Sequence, residues 1–209
     1  MDIAQNLVSL LKEIPSSVAL VAVSKFKPNE DIMAAYTAGQ RRFGENRPQE
    51  LAAKAAALPD DIEWHFIGHL QTNKIKLVLP YASLIESVDS LHLLQAISAA
   101  AVAQGRVVDC LLEVHVAAEE SKTGFSPDEA VDIAYHAADY PGIHIKGIMA
   151  MATNTDDEAR IRADFRRARD VQKAAGLPEL SMGMSGDWRI AVEEGATIIR
   201  LGSAIFGAR

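Results

Sequence analysis

A regular alternation of strand-like and helix-like segments is the feature that most constrains the fold of this 209-residue chain. Short apolar runs bounded by glycine, proline or polar residues are typical of buried strands, and apolar residues three and four apart indicate amphipathic helices. A helical pattern separates each predicted strand from the next, and another precedes the first strand. Eight strands are predicted, at residues 18–24, 41–46, 63–68, 83–88, 109–116, 144–151, 179–184 and 197–202.

Eight strands alternating with helices predict an α/β fold, a (β/α)8 TIM barrel with an extra N-terminal helix. The clearest helix start is Ser126-Pro127-Asp128-Glu129, a capping box with proline at the first helical position. No Pro/Gly/Ser-rich linker divides the chain, so we expect a single domain over residues 1–209. The alternative is an open doubly wound sheet, although the first strand is not followed by a G-x-G-x-x-G turn.

Charge and composition disfavour several classes of protein. The net charge of −7 and the pI of about 5.4 disfavour binding to nucleic acids or to anionic membranes. The longest apolar runs are too short to cross a bilayer, and residues 1–6 lack the features of a signal peptide. The single cysteine, Cys110, allows no internal disulfide. We therefore expect a cytoplasmic protein and, as the simplest assembly, a monomer.

Lys25 stands where the chain leaves the first predicted strand. It follows the apolar run 18–23 and Ser24, and Pro28 comes three residues later. A lysine at the rim of an apolar core can act as a Schiff-base nucleophile, because desolvation favours its uncharged amine. Taken alone, the segment fits a lysine that merely begins a solvated loop.

Two small-residue turns follow the last two predicted strands, Ser185-Gly186-Asp187 and Gly202-Ser203-Ala204. Small residues let backbone N–H groups approach an anion closely, and the loops after barrel strands seven and eight are the usual phosphate site of this architecture. The competing interpretation is two ordinary turns, with Ser185 as a helix cap. Together, at these positions, the turns favour a phosphate site.

Arg200 lies inside the eighth predicted strand, on the same face as Ile198 and Gly202. An arginine there is either held in a core ion pair or aimed at a ligand. A strand-end lysine, a phosphate site and a buried arginine would share one barrel mouth. Pyridoxal 5′-phosphate (PLP) has an aldehyde and a phosphate, and fits all three.

Other polar residues point to no competing chemistry. His65 is expected to be a satisfied core histidine, and the six histidines show no metal-ligand spacing, so no metal site is predicted. Four glutamates are possible acids, but nothing in the sequence marks a catalytic pair; they are Glu45, Glu113, Glu119 and Glu120.

Several motifs resemble, in order, those of the PLP homeostasis protein family, also called YggS/PROSC. The resemblance runs from Val21 to Gly207, nearly the whole chain. The motifs are Val21-Ala22-Val23-Ser24-Lys25, Phe43-Gly44-Glu45-Asn46 with Gln49-Glu50, Trp64-His65-Phe66-Ile67-Gly68 with Leu70-Gln71 and Asn73-Lys74, Glu120-Ser121-Lys122-Thr123-Gly124, Leu180-Ser181-Met182-Gly183-Met184-Ser185 and Arg200-Leu201-Gly202-Ser203-Ala204-Ile205-Phe206-Gly207.

The resemblance implies a PLP-binding barrel similar to the N-terminal domain of alanine racemase. It implies that Lys25 carries PLP as an internal aldimine and that Asn46 lies near the cofactor. It also implies that Ser185, Gly202 and Ser203 hold the phosphate and that Arg200 faces the pyridine nitrogen. Three positions depart from the common pattern: Arg47-Pro48 replaces tyrosine and a small apolar residue, and Ser203 replaces a frequent threonine.

Members of the family are described as PLP carriers or regulators, so we expect a role in PLP homeostasis without turnover, with PLP-dependent apo-enzymes as candidate recipients. A cationic Arg200 would keep the pyridine nitrogen unprotonated and the ring a weak electron sink. Alanine racemases add an acid/base group from a second domain, which we do not expect here because the chain ends two residues after Gly207. Two alternatives stay open: a small one-domain PLP-dependent amino-acid racemase or lyase with Lys25 as base, and a sugar-phosphate barrel with a Schiff-base lysine.

Overall fold

Eight parallel strands close into a barrel in the computed structural model, which describes residues 2–117 and 123–207. Strand order follows chain order, and β8 pairs with β1 to close the sheet, with Leu20 opposite Ile199. The predicted TIM barrel is therefore confirmed. The strands are β1 Ala19–Val23, β2 Arg42–Glu45, β3 Glu63–Phe66, β4 Ala82–Val88, β5 Val108–Glu113, β6 Ile143–Met149, β7 Glu179–Ser181 and β8 Ile198–Leu201.

Helices lie between the strands, and the predicted extra helix precedes β1. The Ser126 capping box at the start of α6 is present in both directions, as its sequence predicts. The last helix, α9, was not predicted because its single turn is too short to show a period. The helices are α1 Ile3–Glu13, α2 Asn29–Thr37, α3 Pro48–Ala55, α4 Ile75–Val78, α5 Leu91–Ala103, α6 Pro127–Tyr135, α7 Glu158–Ala174, α8 Trp188–Glu193 and α9 Ser203–Phe206.

Alternation along each strand divides the apolar residues into two layers. The larger cluster fills the space between the sheet and the helices and includes Leu20 and Ala22 of β1. The smaller cluster fills the barrel interior with Val21, Leu84, Leu111, Met149 and Ile198. Because side chains repeat a face every second residue, the residues two places further along these strands also point inward, toward the carboxyl mouth of the barrel.

Predicted strands three and seven end earlier in the structure, at Phe66 and Ser181, and their last predicted residues form the loops that build the mouth. Gly68 shows how tightly these loops pack, since a Cβ there would lie 2.3 Å from the carbonyl oxygen of Asn46. Within residues 2–117 and 123–207, helices long and apolar enough to cross a membrane are absent.

Candidate functional site

A cavity of about 430 Å³ opens at the carboxyl mouth of the barrel. Its volume lies within the ~300–1,000 Å³ typical of small-molecule sites. All six residues predicted to bind a cofactor line it, and they come from the ends of four strands; they are Lys25, Asn46, Ser185, Arg200, Gly202 and Ser203. The fold therefore brings together residues up to 178 positions apart in the chain.

Lys25 leaves β1 on a tightly held backbone. The N–H of Ser24 donates to the carbonyl of Gly44 over 3.0 Å, and the carbonyl of Ser24 accepts from the N–H of Lys27 over 2.9 Å. The Ser24 hydroxyl donates to Glu45 over 2.5 Å. Lys27 also lines the cavity, and its ammonium donates to the carbonyl of Phe206 over 3.0 Å. Two lysines of one short loop thus flank the same cavity.

Ser185 joins the loops that follow β7 and β8. Its hydroxyl oxygen accepts from the N–H groups of Gly202 and Ala204, each over 3.4 Å. The suggestion that Ser185 caps the following helix is wrong: α8 begins after Asp187, whose carboxylate accepts from the N–H of Met184 over 2.6 Å. A hydroxyl and backbone N–H groups are therefore gathered at the cavity wall, the donor set that recognises phosphate.

Arg200 is buried, 5% exposed, and of its two predicted roles the structure shows the core ion pair. Its two terminal nitrogens donate to the Ser181 hydroxyl and to the carbonyl of Ala150. The buried Glu86 carboxylate provides a counter-charge, with its Oε2 3.6 Å from Nη1 of Arg200. Arg200 also lines the cavity. The ion pair therefore holds the arginine where a ligand would meet it.

Glu86 connects Arg200 to His65 across the barrel interior. One carboxylate oxygen contacts His65 Nδ1 over 2.6 Å, and the other accepts from the Ser181 hydroxyl over 2.5 Å. Burial would raise the pKa of Glu86, but the hydrogen bonds and charges of His65, Arg200 and Ser181 outweigh it and lower the pKa. His65 is thus a satisfied core histidine, as expected. Glu86 was missed in the sequence, although a glutamate within an apolar strand could have marked it.

Asn46 presents an unsatisfied acceptor at the cavity. Among the described residues, its side-chain Oδ1 is buried and finds no hydrogen-bond donor. Buried polar atoms are nearly always paired, and an exception at a cavity wall indicates a place for a ligand's donor. Asn46 contacts Gly68, so the loop after β3 fixes its position.

Glu113 is a second ionisable group of the barrel interior, two residues beyond Leu111 on β5. Burial and the nearby charge of Asp89 raise its pKa to about 7, opposed by Arg200 and His69. Of the other glutamates singled out in the sequence, Glu45 forms an ion pair with Lys54 over 2.7 Å. Glu119 and Glu120 fall outside the described residues, as does Lys122. Groups of three potential metal ligands are absent from residues 2–117 and 123–207.

Comparison with known proteins gives a consistent result. The family model for the alanine racemase N-terminal domain matches residues 2–209. A pyridoxal phosphate homeostasis protein of Aquifex aeolicus is 39% identical over 91% of this chain and 86% of its own length. The mouse protein of the same name is 36% identical over 91% of this chain and 76% of its own length.

Solved structures agree with the sequence relatives. PipY of Synechococcus elongatus, solved with PLP bound, has a TM-score of 0.90 and 39% identity, covering 98% of this chain and all of its own. Alanine racemase of Clostridium difficile has a TM-score of 0.83 but only 12% identity, and this chain covers 57% of it; that likeness shows the fold alone. The chain therefore belongs to the alanine racemase N-terminal domain family and, within it, to the pyridoxal phosphate homeostasis proteins.

Proposed function

We propose that this chain binds PLP in the cavity at the carboxyl mouth and takes part in intracellular PLP homeostasis as a carrier or regulator. The observation that carries the proposal is the convergence of all six predicted residues on one cavity. The names of the relatives and the PLP held by PipY support the same cofactor.

The residues present fit PLP chemically. Lys25 would hold the aldehyde as a Schiff base: its amine bonds to the aldehyde carbon, and the aldehyde oxygen leaves as water. Ser185, Gly202 and Ser203 would hold the phosphate through hydroxyl and N–H donors. The orphan Oδ1 of Asn46 would accept from a donor on the cofactor.

Arg200 would face the pyridine ring, where its charge disfavours protonation of the ring nitrogen. PLP supplies an electron sink when bound, and an unprotonated ring weakens that sink. A carrier needs a reversible bond to the cofactor but no carbanion chemistry. The arrangement of this chain's residues therefore suits storage or delivery better than turnover.

The test is an absorbance spectrum of the protein with PLP, followed by borohydride reduction and peptide mapping. We expect imine absorbance in wild type, with the reduced adduct on Lys25. The Lys25→Ala variant should lose both, whereas the control Lys76→Ala, at an exposed position of α4, should keep them. An adduct that maps to Lys27, the other lysine of the loop, would refute the assignment.

We propose a single-domain monomer that passes PLP to apo-enzymes in a reducing compartment such as the cytoplasm, where its one thiol, on buried Cys110, stays unpaired. Light scattering of the purified protein checks the monomer. Mixing PLP-loaded protein with an apo-aminotransferase checks delivery, since activity should return faster than the release of PLP into buffer allows.

A second candidate is a one-domain racemase or lyase, favoured by one observation: Glu113 combines burial in the barrel interior with a pKa of about 7. Such a carboxyl could exchange a proton near neutral pH. Incubation of PLP-loaded protein with single amino acids in deuterated water decides the matter. Deuterium at the α-carbon would support this candidate, and its absence would leave the carrier.

A further inference from the structure

A buried lysine that does not line the cavity lies beneath the loop that carries Lys25. Lys54, on α3, is only 6% exposed. Its ammonium donates to Glu45 and Glu50, each over 2.7 Å, and to the carbonyl of Ser24 over 2.8 Å. Lysine is rarely buried, and a buried ion pair is often no more stabilising than apolar residues of the same volume. Packing alone therefore does not account for this charge.

Lys54 and Glu50 form hydrogen bonds with the backbone on both sides of Lys25. Lys54 binds the carbonyl of Ser24, the residue before it. Glu50 accepts from the N–H of Phe26, the residue after it, over 2.6 Å. Glu50 itself is held by Lys54, one helical turn further along α3. One pair of side chains thus binds both peptide groups next to Lys25, and the N–H of Lys27 adds a second hydrogen bond to the carbonyl of Ser24.

Phe26 adopts a strained backbone conformation at this point. Its φ is +63°, and it is the one non-glycine residue with a positive φ among those the structure describes. Such a conformation is sterically strained in a bulky residue and persists only where surrounding contacts hold it. The hydrogen bond from the Phe26 N–H to Glu50 is such a contact.

We propose that Lys54 and Glu50 are positioning residues: they fix the backbone on either side of Lys25 and thereby aim its amine into the cavity. Lys54 also forms ion pairs with Glu45 and Glu50 where these carboxylates approach the loop. The inference rests on the proposed function, since it assigns Lys25 as the residue that bonds to PLP.

The test compares three variants with wild type. Glu50→Ala removes the acceptor of the Phe26 N–H, Glu50→Gln keeps a carbonyl oxygen in its place, and Lys54→Met removes the ammonium at similar length. Lys76→Met is the control, since Lys76 is an exposed lysine of α4. Two measurements need no cofactor: the hydrogen exchange of the Phe26 amide, and the acetylation rate of Lys25 relative to Lys74 by peptide mapping. The third is the rate of imine formation with PLP.

We expect the Phe26 amide to exchange about tenfold faster in Glu50→Ala and Lys54→Met, because the lost bond to a charged group is worth roughly one decade. The acetylation of Lys25 and its reaction with PLP should slow about three- to tenfold. Glu50→Gln should lie close to wild type, which a general loss of stability would not produce. Unchanged Phe26 exchange and Lys25 reactivity in folded Glu50→Ala would overturn the proposal.

Failure of the proposed function gives a different result. If wild type forms no imine with PLP, the assignment of Lys25 as the PLP-binding residue is wrong. Amide exchange and acetylation still report whether Lys54 and Glu50 hold the backbone beside Lys25. If Lys54→Met does not fold, Glu50→Ala decides alone, because Glu50 is 19% exposed at its side chain and its loss leaves Lys54 paired with Glu45.

Discussion

Replacement of Glu113 by glutamine should change how the stability of this protein depends on pH. Burial and the charge of Asp89 raise the pKa of Glu113 from 4.5 to about 7. Since the folded-state pKa is the higher one, the folded chain resists ionisation that the unfolded chain undergoes freely. Stability from this group is therefore fully present below the unfolded pKa and is lost as the pH rises through 7.

The magnitude follows from the two pKa values. With Glu113 at about 7 in the folded chain and 4.5 in the unfolded chain, the complete penalty is roughly 3 kcal/mol at alkaline pH. Most of it develops between pH 5 and pH 8, where wild type should lose roughly 2 kcal/mol through this residue. Glutamine has the same size and no charge. The free energy of unfolding of Glu113→Gln, relative to that of wild type, should therefore be roughly 2 kcal/mol higher at pH 8 than at pH 5.

Urea unfolding monitored by tryptophan fluorescence measures this directly, because Trp64 and Trp188 are both buried. The free energy of unfolding is taken at several pH values from 5 to 8 for wild type, Glu113→Gln and the control Glu30→Gln, an exposed glutamate of α2. Each variant is compared with wild type at the same pH, which removes the contribution of other titrating groups. A stability difference for Glu113→Gln that is the same at pH 5 and pH 8 would refute the reasoning.

Three further substitutions, one of them paired with a control substitution, test the structure. Glu86→Gln removes the counter-charge of buried Arg200 and should lower the free energy of unfolding in urea by about 3 kcal/mol. PLP should also bind more weakly. A variant as stable as wild type would contradict the role of Glu86 as the partner of Arg200. Gly183→Ala should cost about 3 kcal/mol, because the new Cβ would lie 2.5 Å from the Cβ of Ala191 at a φ of +94°. Gly39→Ala is its matched control, with a φ of +103° and nothing within 4 Å, and should cost only about 1 kcal/mol by the same measurement. Ser126→Ala breaks the capping box of α6 and should lower stability by about 1 kcal/mol, with no effect on PLP absorbance.

Much of the candidate site follows from local pattern. Parallel barrel strands present their carboxyl ends at one mouth, so Lys25, Arg200 and the small-residue turns could be placed together once the eight strands were recognised. The hydrogen bonds between these residues within the mouth could not be predicted from the sequence pattern. The Ser185 hydroxyl accepts from the N–H groups of Gly202 and Ala204 at the start of α9, and does not cap α8, the helix that follows it in the chain.

The sequence by itself determined the periodicity of strands and helices, and hence the barrel and the residues at its mouth. Only the tertiary structure decided which buried charges support them. Glu86 on β4 forms an ion pair with Arg200 on β8, and the ammonium of Lys54 on α3 donates to the carbonyl of Ser24. Such pairs leave no local pattern, because a buried charge takes its partner from whatever side chain the closed barrel places beside it. Lys25 could thus be found from its position in the chain, whereas the contacts that hold its loop could be found only from the fold.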